Sequence, residues 1–511
     1  MKRIHQLVLF TGMIAALGIS SCKKGYLDVN DDPNNATDNN ITAELIFTQA
    51  ENTVGQRQAT TNLTFLNQWM GYFAQNGGFA PQQILITYNI DFGFGNPIWV
   101  NNYAVLFDLY LAKIKGLATK DTALAAASLV LQAKLFQDLV DLFGNIPYSQ
   151  AFGGNKLTLP AYDKAQDIYK DLQKKLDTAI TWLNTTKASK AFSSADIINQ
   201  GNITPWVKFA NTLKLRLLIR QSETNGFDPS AEIAKIQASG GPLGAGESIA
   251  VNPGYVDDVN KQNIFYSNYG FTPTGVVADN ADLANDYIVT LYQNDNDPRL
   301  GRFFYPVGFA GTNYVGAKFG DLQANLPTAV QGSYFGPALI GNVDATTKKP
   351  DGSGAKQAQW IMPSFESMFL TAEAVARGWM PGSAKAAYEN ALTEAFVWLK
   401  VDDAANAAAT YMADNADADW ATVAGGSTLD KAKFIAYQKY LSLTGIDPQE
   451  AYADLRRLNM LTDNGYVSVA AGKLGFPVRL LYPQSEYTSN ATNVLKEGTI
   501  VAATSKIFWQ P

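Results

Sequence analysis

The segment 429–459 is the part of the sequence that most restricts the fold. Its residues, LDKAKFIAYQKYLSLTGIDPQEAYADLRRLN, predict two short helices with a tight joint. The first helix has apolar residues on more than one face, which predicts burial on most sides. Gly445 is a typical helix stop, and Asp447-Pro448 followed by Glu450 has the pattern of an N-cap, an N1 proline and a capping box. We therefore expect a helical pair that docks on other helices rather than forming a separate domain.

Helical periodicity recurs along most of the chain. Segments of about 98–143 and 364–400 each contain two apolar repeats at i, i+3, i+4 spacing, which predicts two antiparallel hairpins in one α layer. Between about 226 and 359, Gly, Pro and Asn are dense, aromatic residues are frequent, and only about 280–293 has a firm helical pattern. A loop-rich insertion of this length indicates a functional region. The sequence thus predicts a mainly α fold with a loop-rich second half.

The first 21 residues have the pattern of a lipoprotein signal peptide. Lys2 and Arg3 precede an apolar run over 7–19 that is too short to cross a bilayer, and Ile19-Ser20-Ser21-Cys22 resembles a lipobox. We expect lipidation of Cys22, followed by a polar tether over 22–40. The alternative is an ordinary secretory signal in which Cys22, the single cysteine of the chain, is incidental.

Composition excludes several classes of function. Cleavage before Cys22 removes His5, the single histidine, so the mature chain has no Ser-His-Asp or Cys-His catalytic set and no His/Cys zinc site. The same cleavage removes Lys2 and Arg3 but no acidic residue, so the net charge of −6 becomes −8. An acidic protein has no electrostatic attraction for nucleic acid, so we expect no nucleic-acid partner. We also expect no cofactor and no metal.

Two charged clusters allow a functional and a structural interpretation. The run Asp295-Asn296-Asp297 could hold a cation, but such a run before a proline is more often a turn. Arg456-Arg457 could bind an anionic ligand, and the favoured interpretation is that they cap carbonyl groups or pair with neighbouring carboxylates.

Several short sequence motifs, in a fixed order along the chain, resemble those of one family. They are YLDVNDDPNN near the start, LFGNIPYSQAF at 142–152, DPRL at 297–300, SFESMFLTAEAVARGW at 364–379, IxxQKYLSL at 435–443, EAYADLRR at 450–457, and FPVRLLYP at 476–483 with Glu486 and Asn490 beyond. Together they resemble the SusD/RagB family, which are surface lipoproteins that bind nutrients. The resemblance covers about 22–511.

The resemblance implies most of the remaining expectations. It implies tetratricopeptide-like hairpins forming an α superhelix, at about 41–222 and 364–459, within one SusD-like domain over 41–511. It implies a ligand-facing region at about 226–359. It further implies a lipid-anchored protein on the cell surface at the outer membrane, which is not an enzyme. Such a protein captures an oligomeric nutrient, with a glycan favoured, for a SusC-like TonB-dependent transporter.

Aromatic residues in the loops are the candidate ligand-binding groups. Flat rings presented on loops over a rigid scaffold suit the apolar faces of sugars. The candidates are Phe92, Phe94, Trp99, Tyr266, Tyr269 and Tyr314. For any single ring, packing into the loops' own core is the favoured alternative.

Two other classes of function stay open at this point. One is a scaffold whose hairpins bind only protein. The other is an α-helical glycoside hydrolase using two carboxylates, which a chain without histidine permits, although no carboxylate pair stands out in the sequence.

Overall fold

Helices dominate a computed structural model of the chain, which describes residues 41–59, 64–461 and 463–511. The expectations for 1–40, including the signal peptide, Cys22 and the tether, lie outside the described residues. The helices are α1 (Ala43–Ala59), α2 (Thr64–Trp69), α3 (Gln83–Ile86), α4 (Asn96–Ala118), α5 (Thr122–Phe143), α6 (Ala165–Thr185), α7 (Lys190–Ala195), α8 (Ile203–Arg220), α9 (Ser230–Ala238), α10 (Ile264–Tyr269), α11 (Asp286–Asn294), α12 (Leu300–Phe303), α13 (Pro337–Ile340), α14 (Ser353–Lys356), α15 (Ser364–Ala376), α16 (Ala384–Trp398), α17 (Ala404–Asp414), α18 (Thr428–Ser442), α19 (Pro448–Leu458), α20 (Gln484–Ser489) and α21 (Ala491–Val494).

The predicted hairpins are confirmed. α4 packs against α5, and α15 packs against α16, each pair joined by a short turn. The Asp121 carboxylate caps α5 by accepting from the Leu124 backbone N–H at 3.1 Å, and Gly144 ends the helix at φ 77°, a conformation that favours glycine. α6 and α8 continue the same layer, because α5 packs on α6 and α6 on α8.

The middle helix of this layer, α5, is apolar enough to cross a membrane. Among the described residues it is the one helix that meets that test by length and composition, and 94% of its apolar window is buried inside the protein. It is therefore the core helix of the layer, and its apolar residues are covered by α4, α6 and α8.

The pair predicted at 429–459 forms α18 and α19 and docks on the helical layer through α15, as expected. The Asp447 carboxylate accepts from the Glu450 backbone N–H at 3.0 Å, so the predicted N-cap is confirmed. The predicted capping box is wrong, because the Glu450 carboxylate forms an ion pair with Arg220 and does not bond to the backbone N–H of Asp447. Gly445 joins the two helices at φ 71°, where a Cβ would lie 2.8 Å from the ring of Phe73.

The second half of the chain is richer in short elements than the sequence indicates. The pattern at about 280–293 covers a strand and the helix α11, and the nine-residue α9 was not predicted. Three antiparallel strand pairs occur among the described residues: β1 (Phe73–Gln75) with β5 (Asp282–Ala284), β2 (Ile146–Pro147) with β3 (Tyr162–Asp163), and β4 (Ile249–Val251) with β6 (Gln359–Met362). The first and third pairs join distant segments. The β1–β5 pair holds the loop-rich half against the first helices.

A network of buried ion pairs connects five helices of the fold. Arg220 of α8 pairs with Asp141 of α5 at 3.1 Å and with Glu450 of α19. Lys439 of α18 lies 2.7 Å from both Glu450 and Asp454 of α19. These side chains are almost completely buried, so each charge depends on its partner rather than on water.

The network ends on α15. Arg457 of α19 lies 2.5 Å from Glu373 and 2.8 Å from Asp454, and Arg377 lies 2.8 Å from Glu373. Burial raises the pKa of Glu373, but Arg457 and Arg377 outweigh burial and lower that pKa to about 2. Arg456 donates to the carbonyl oxygens of Tyr452, Asp141 and Val478. The structural interpretation of both arginines is therefore confirmed.

Removal of one charge from this network should destabilise the whole fold. Glu450→Gln leaves the buried Arg220 and Lys439 without their shared carboxylate, which costs about 3–5 kcal/mol of unfolding free energy. Urea unfolding followed by circular dichroism measures the change. Asp167→Asn is the matched control, because it removes a carboxylate from the exposed Asp167–Lys170 pair and should leave the midpoint unchanged. Equal effects of the two substitutions would contradict the role given to the network.

Candidate functional site

A cavity of about 460 Å³ opens where α2, α3 and the start of α4 meet the loop-rich half. Its size is that of a small-molecule pocket. We call it the Asp282 pocket, and it is lined by Thr64, Phe65, Gln68, Gln82, Leu85, Phe94, Pro97, Ile98, Asn268, Tyr269, Ala278, Asp279 and Asp282. It brings together two of the six predicted aromatic residues, Phe94 and Tyr269.

Phe94 is held in place by a local turn and by a buried ring. The Asp91 carboxylate accepts from the backbone N–H groups of Gly93 and Phe94 at 2.9 and 3.0 Å, which shapes the loop before α4. The half-exposed Phe94 ring lies parallel to the buried indole of Trp69, with 5.8 Å between centroids and 7° between planes. The edge of Phe65 meets Phe94 at 4.9 Å. The loop thus offers a fixed aromatic surface to the pocket.

Tyr269 forms the opposite wall at the end of α10. Its hydroxyl is hydrogen-bonded to the Thr64 hydroxyl of α2, and its carbonyl oxygen accepts from the Tyr334 hydroxyl at 2.7 Å. The side chain is only 3% exposed, so its contribution is to the wall rather than to a free stacking face.

Two carboxyl groups, Asp279 and Asp282, lie in the same pocket. Asp282 is placed by strand pairing, opposite Gln75 in β1, and accepts from the Gln68 amide at 3.0 Å. Burial, followed by the nearby Asp279 charge, raises the pKa of Asp282 to about 7, and burial also raises the pKa of Asp279. The Asp282 carboxyl can therefore donate or accept a hydrogen bond near neutral pH, which suits recognition of hydroxyl groups.

The sequence did not identify Gln68, Asp279 or Asp282. Gln68 and Asp282 are separated by 214 residues and meet only because β1 pairs with β5. A single polar side chain in a short segment carries no local signal for such a contact. A pattern-based search would find Asp282 only if the strand pairing were already known.

Four predicted aromatic residues lie outside the Asp282 pocket. Trp99 is 4% exposed and lies among Tyr103, Phe143 and Tyr482, while Tyr266 is 0% exposed. These two rings have no free face for a sugar, because the layer and the loops' own core cover them. Phe92 is exposed beside Tyr487, at 5.0 Å, and Tyr314 is half-buried; both stay predictions.

A second surface feature begins one turn beyond the pocket. The outer face of α4 carries Val100, Ala104, Phe107, Leu111 and Ile114 at spacings of four and three residues, followed by Leu117. We call this set the outer stripe of α4. Val100, Phe107, Ile114 and Leu117 are between 39% and 49% exposed. Large apolar side chains in such a row are typical of an interaction surface.

No group of three or more His, Cys, Asp or Glu residues that could hold a metal ion occurs in the part of the chain that the structure describes. The run at 295–297 forms a turn, in which the Asp297 carboxylate binds the Arg299 guanidinium within that same turn. The cation interpretation of this run therefore has no support in the geometry.

The fold and the pocket together define a class of protein in which helical hairpins support a loop-lined cavity. The chain belongs to the SusD-like family, described as starch-binding and associating with the outer membrane, whose match covers residues 33–483. The predicted family and the predicted mainly α, tetratricopeptide-like fold are thereby confirmed. No curated protein matches the chain.

Solved structures show the same fold at low sequence identity. A SusD homologue from Bacteroides fragilis has a TM-score of 0.71 at 21% identity, over 92% of this chain and 99% of that one. A SusD-like protein from Bacteroides thetaiotaomicron has a TM-score of 0.71 at 22% identity, over 92% and 98%. A chitin-binding SusD homologue from Flavobacterium johnsoniae has a TM-score of 0.70 at 23% identity, over 91% and 98%.

The raised pKa of Asp282 gives a pH-dependent stability. In the unfolded chain an aspartate ionises near pH 4, whereas folded Asp282 keeps its proton up to about pH 7. Its stabilising contribution is therefore complete below about pH 4 and is lost as the pH rises towards 7, by up to ~1.4 kcal/mol per pH unit. Asp282→Asn does not ionise, so its stability relative to the parent should rise over this interval and stay constant above it. Chemical unfolding at pH 4, 6 and 8 measures the difference.

The surface variant Asp402→Asn, which removes an exposed carboxylate that does not line the Asp282 pocket, controls for the loss of one charge. A stability difference between Asp282→Asn and the parent that is the same at all three pH values would show that Asp282 is not protonated in the folded protein.

Proposed function

We propose that the protein binds an oligomeric nutrient, with a glycan favoured, at the Asp282 pocket and leaves it chemically unchanged. The observation that carries the proposal is the fixed, half-exposed ring of Phe94 beside the hydrogen-bonding groups of Gln68 and Asp282. An aromatic face takes the C–H side of a sugar, and the polar groups take its hydroxyls. Family membership and the chitin-binding relative support the same chemical class.

Hydrolysis by two carboxylates is the alternative that the pocket itself raises. Glycosidases separate the pKa values of their two carboxyl groups, one kept protonated and one ionised. Here burial moves the pKa values of Asp279 and Asp282 in the same direction, and both residues come from a single short segment. This arrangement favours recognition over catalysis.

Loss of the Phe94 ring should weaken glycan binding. Delivery requires release after capture, so we expect affinities on the order of micromolar to millimolar, or about −4 to −8 kcal/mol. Phe94→Ala should cost roughly 1–3 kcal/mol of binding free energy, as stacking rings do at other sites. Calorimetry with a panel of starch, chitin and xylan oligomers measures the change. Phe107→Ala, on the outer stripe, is the matched control and should bind as the parent does.

Two results would reject this proposal. Unchanged affinity in both Phe94→Ala and Asp282→Asn would place the ligand elsewhere. If the parent protein produces new reducing ends from a bound oligomer and Asp282→Asn does not, the protein is an enzyme.

We further propose that Cys22 carries a lipid that holds the protein to the outer membrane with its body facing the cell exterior. Each buried CH₂ group contributes about 0.8 kcal/mol, so two or three acyl chains give stable anchoring. Cys22→Ala, expressed without any transporter, should move from the membrane fraction to the soluble fraction. Continued association of that variant with membranes would contradict the lipid anchor.

The proposed partner is a SusC-like TonB-dependent transporter, and the outer stripe of α4 is the proposed contact. The stripe starts beside Pro97 and Ile98, which line the pocket, so a partner seated on it would lie close to a bound nutrient. Covering the exposed apolar side chains supplies favourable burial of about 25 cal/mol per Å². The family's association with the outer membrane supports a membrane-embedded partner.

Phe107→Asp should abolish co-purification with a co-expressed SusC-like transporter, because it places a charge in the middle of the apolar stripe. Glycan binding measured by calorimetry should persist in this variant, whereas Phe94→Ala should show the opposite pattern. Lys120→Asp, beyond the end of α4, controls for added negative charge. Retention of the transporter by Phe107→Asp would exclude this face as the contact.

A further inference from the structure

A second cavity, of about 400 Å³, lies between α11, α18 and the segment after α19. We call it the Tyr437 cleft. It shares no lining residue with the Asp282 pocket. Three aromatic side chains line it, Tyr287 from α11 and Phe434 and Tyr437 from α18, and all three are half-buried.

The aromatic side chains of this cleft are held by contacts outside it. Phe434 packs against Tyr388 at 5.1 Å and against the edge of Trp420 at 6.0 Å. Tyr287 packs on Tyr466 at 6.2 Å, and burial followed by the nearby Asp463 charge raises the pKa of Tyr287. The walls are therefore fixed before any ligand arrives, which lowers the cost of binding.

The charges around the cleft are mostly negative. Asp417, Asp430 and Asp463 line it against a single basic residue, Lys433. The Asp430 carboxylate is used by the capping box with Ser427 and the Asp463 carboxylate accepts from the Gly465 backbone N–H at 2.8 Å, whereas the Asp417 side chain is exposed to solvent. Burial raises the pKa of Tyr437, and the nearby charges of Asp417, Asp295 and Asp463 raise it further against the opposing charge of Arg299.

Aromatic faces next to carboxylates select one kind of ligand. A neutral sugar would use the rings but leave the negative charges uncompensated. A ligand with a primary ammonium group satisfies both, since the ammonium donates to carboxylates and is attracted to the faces of tyrosine and phenylalanine rings. The same charges disfavour an anion.

We propose that the Tyr437 cleft is a second binding site, separate from the Asp282 pocket, for a ligand that carries a primary ammonium group. Such a group can come from an amino sugar or from a lysine side chain. The inference does not rest on the proposed glycan site, and each can fail without the other.

Matched oligomers test the proposal on the full chain. Calorimetry compares the glucosamine trimer, which is cationic, with the N-acetylglucosamine trimer, which has the same backbone without charge, and with a trilysine amide. Asp417→Asn should weaken binding of the glucosamine trimer by about tenfold or more, the usual loss of a charge-assisted hydrogen bond. Binding of the N-acetylated trimer should not change in that variant. If trilysine also loses affinity in Asp417→Asn, the lysine source is supported beside the amino sugar.

Three control variants test whether the cationic trimer binds in the cleft itself. Phe94→Ala should leave the cationic trimer bound, because that residue belongs to the Asp282 pocket. Asp402→Asn removes an exposed carboxylate elsewhere and should not change affinity, which excludes attraction by the net negative charge alone. Tyr437→Leu should weaken the cationic trimer through loss of its ring, while the melting temperature reports whether the variant is folded. Equal affinity of parent and Asp417→Asn for the glucosamine trimer would overturn the proposal, and so would loss of that affinity in Phe94→Ala.

Discussion

The buried ion pairs between α5, α8, α15, α18 and α19 are the constraint on which the rest of the structure depends. Glu450 accepts from both Arg220 and Lys439, so three helices share one carboxylate with almost no access to water. A buried pair is stable only when every member has its partner, and displacement of any one helix would leave a bare charge. The network therefore fixes the relative positions of these helices more strictly than apolar contact does, because apolar side chains repack at low cost.

The network also reaches the proposed ligand site. Tyr452 lies on α19 between the network residues Glu450 and Asp454, and its ring contacts Trp69 at 6.2 Å between centroids. Trp69 in turn lies under Phe94, the half-exposed ring of the Asp282 pocket. A rigid helix thus supports a buried indole, which supports a loop ring. Pre-organisation of this kind allows a small surface to bind a flexible oligomer without first ordering itself.

The sequence predicted the helices well and their polar contacts poorly. Apolar spacing is a local property, so the hairpins α4–α5 and α15–α16 follow from the pattern alone. Apolar spacing gives no information on the partners of charged residues. The local sequence therefore predicted a capping box for Glu450, whereas its carboxylate binds Arg220, which is 230 residues away. Two of the sequence motifs that indicated the family, QKYLSL and EAYADLRR, contain Lys439, Glu450 and Asp454 of this network.

The aromatic candidates show the same limit. Periodicity could not separate Phe94, which lines the pocket, from Trp99, which is buried five residues later on α4. Phe94 lies in the glycine-rich loop and Trp99 follows it, and only the direction of the helix start decides which ring faces solvent. That direction depends on the packing of α4 on α5, which is a tertiary contact. A short aromatic loop before a helix therefore indicates a site without identifying the ring that serves it.

The helix α4 connects the two surfaces that the proposed function needs. Its inner face packs on α5, its first turn lines the Asp282 pocket, and its outer face carries an uncovered apolar stripe. A helix of this length spans roughly 34 Å at 1.5 Å per residue, so a partner covering the stripe would begin at the pocket and extend away from it. A ligand leaving the pocket would then start at the edge of the contact instead of diffusing into bulk water. Weak binding is sufficient for such transfer, because a ligand released this close to the partner is present there at a high effective concentration.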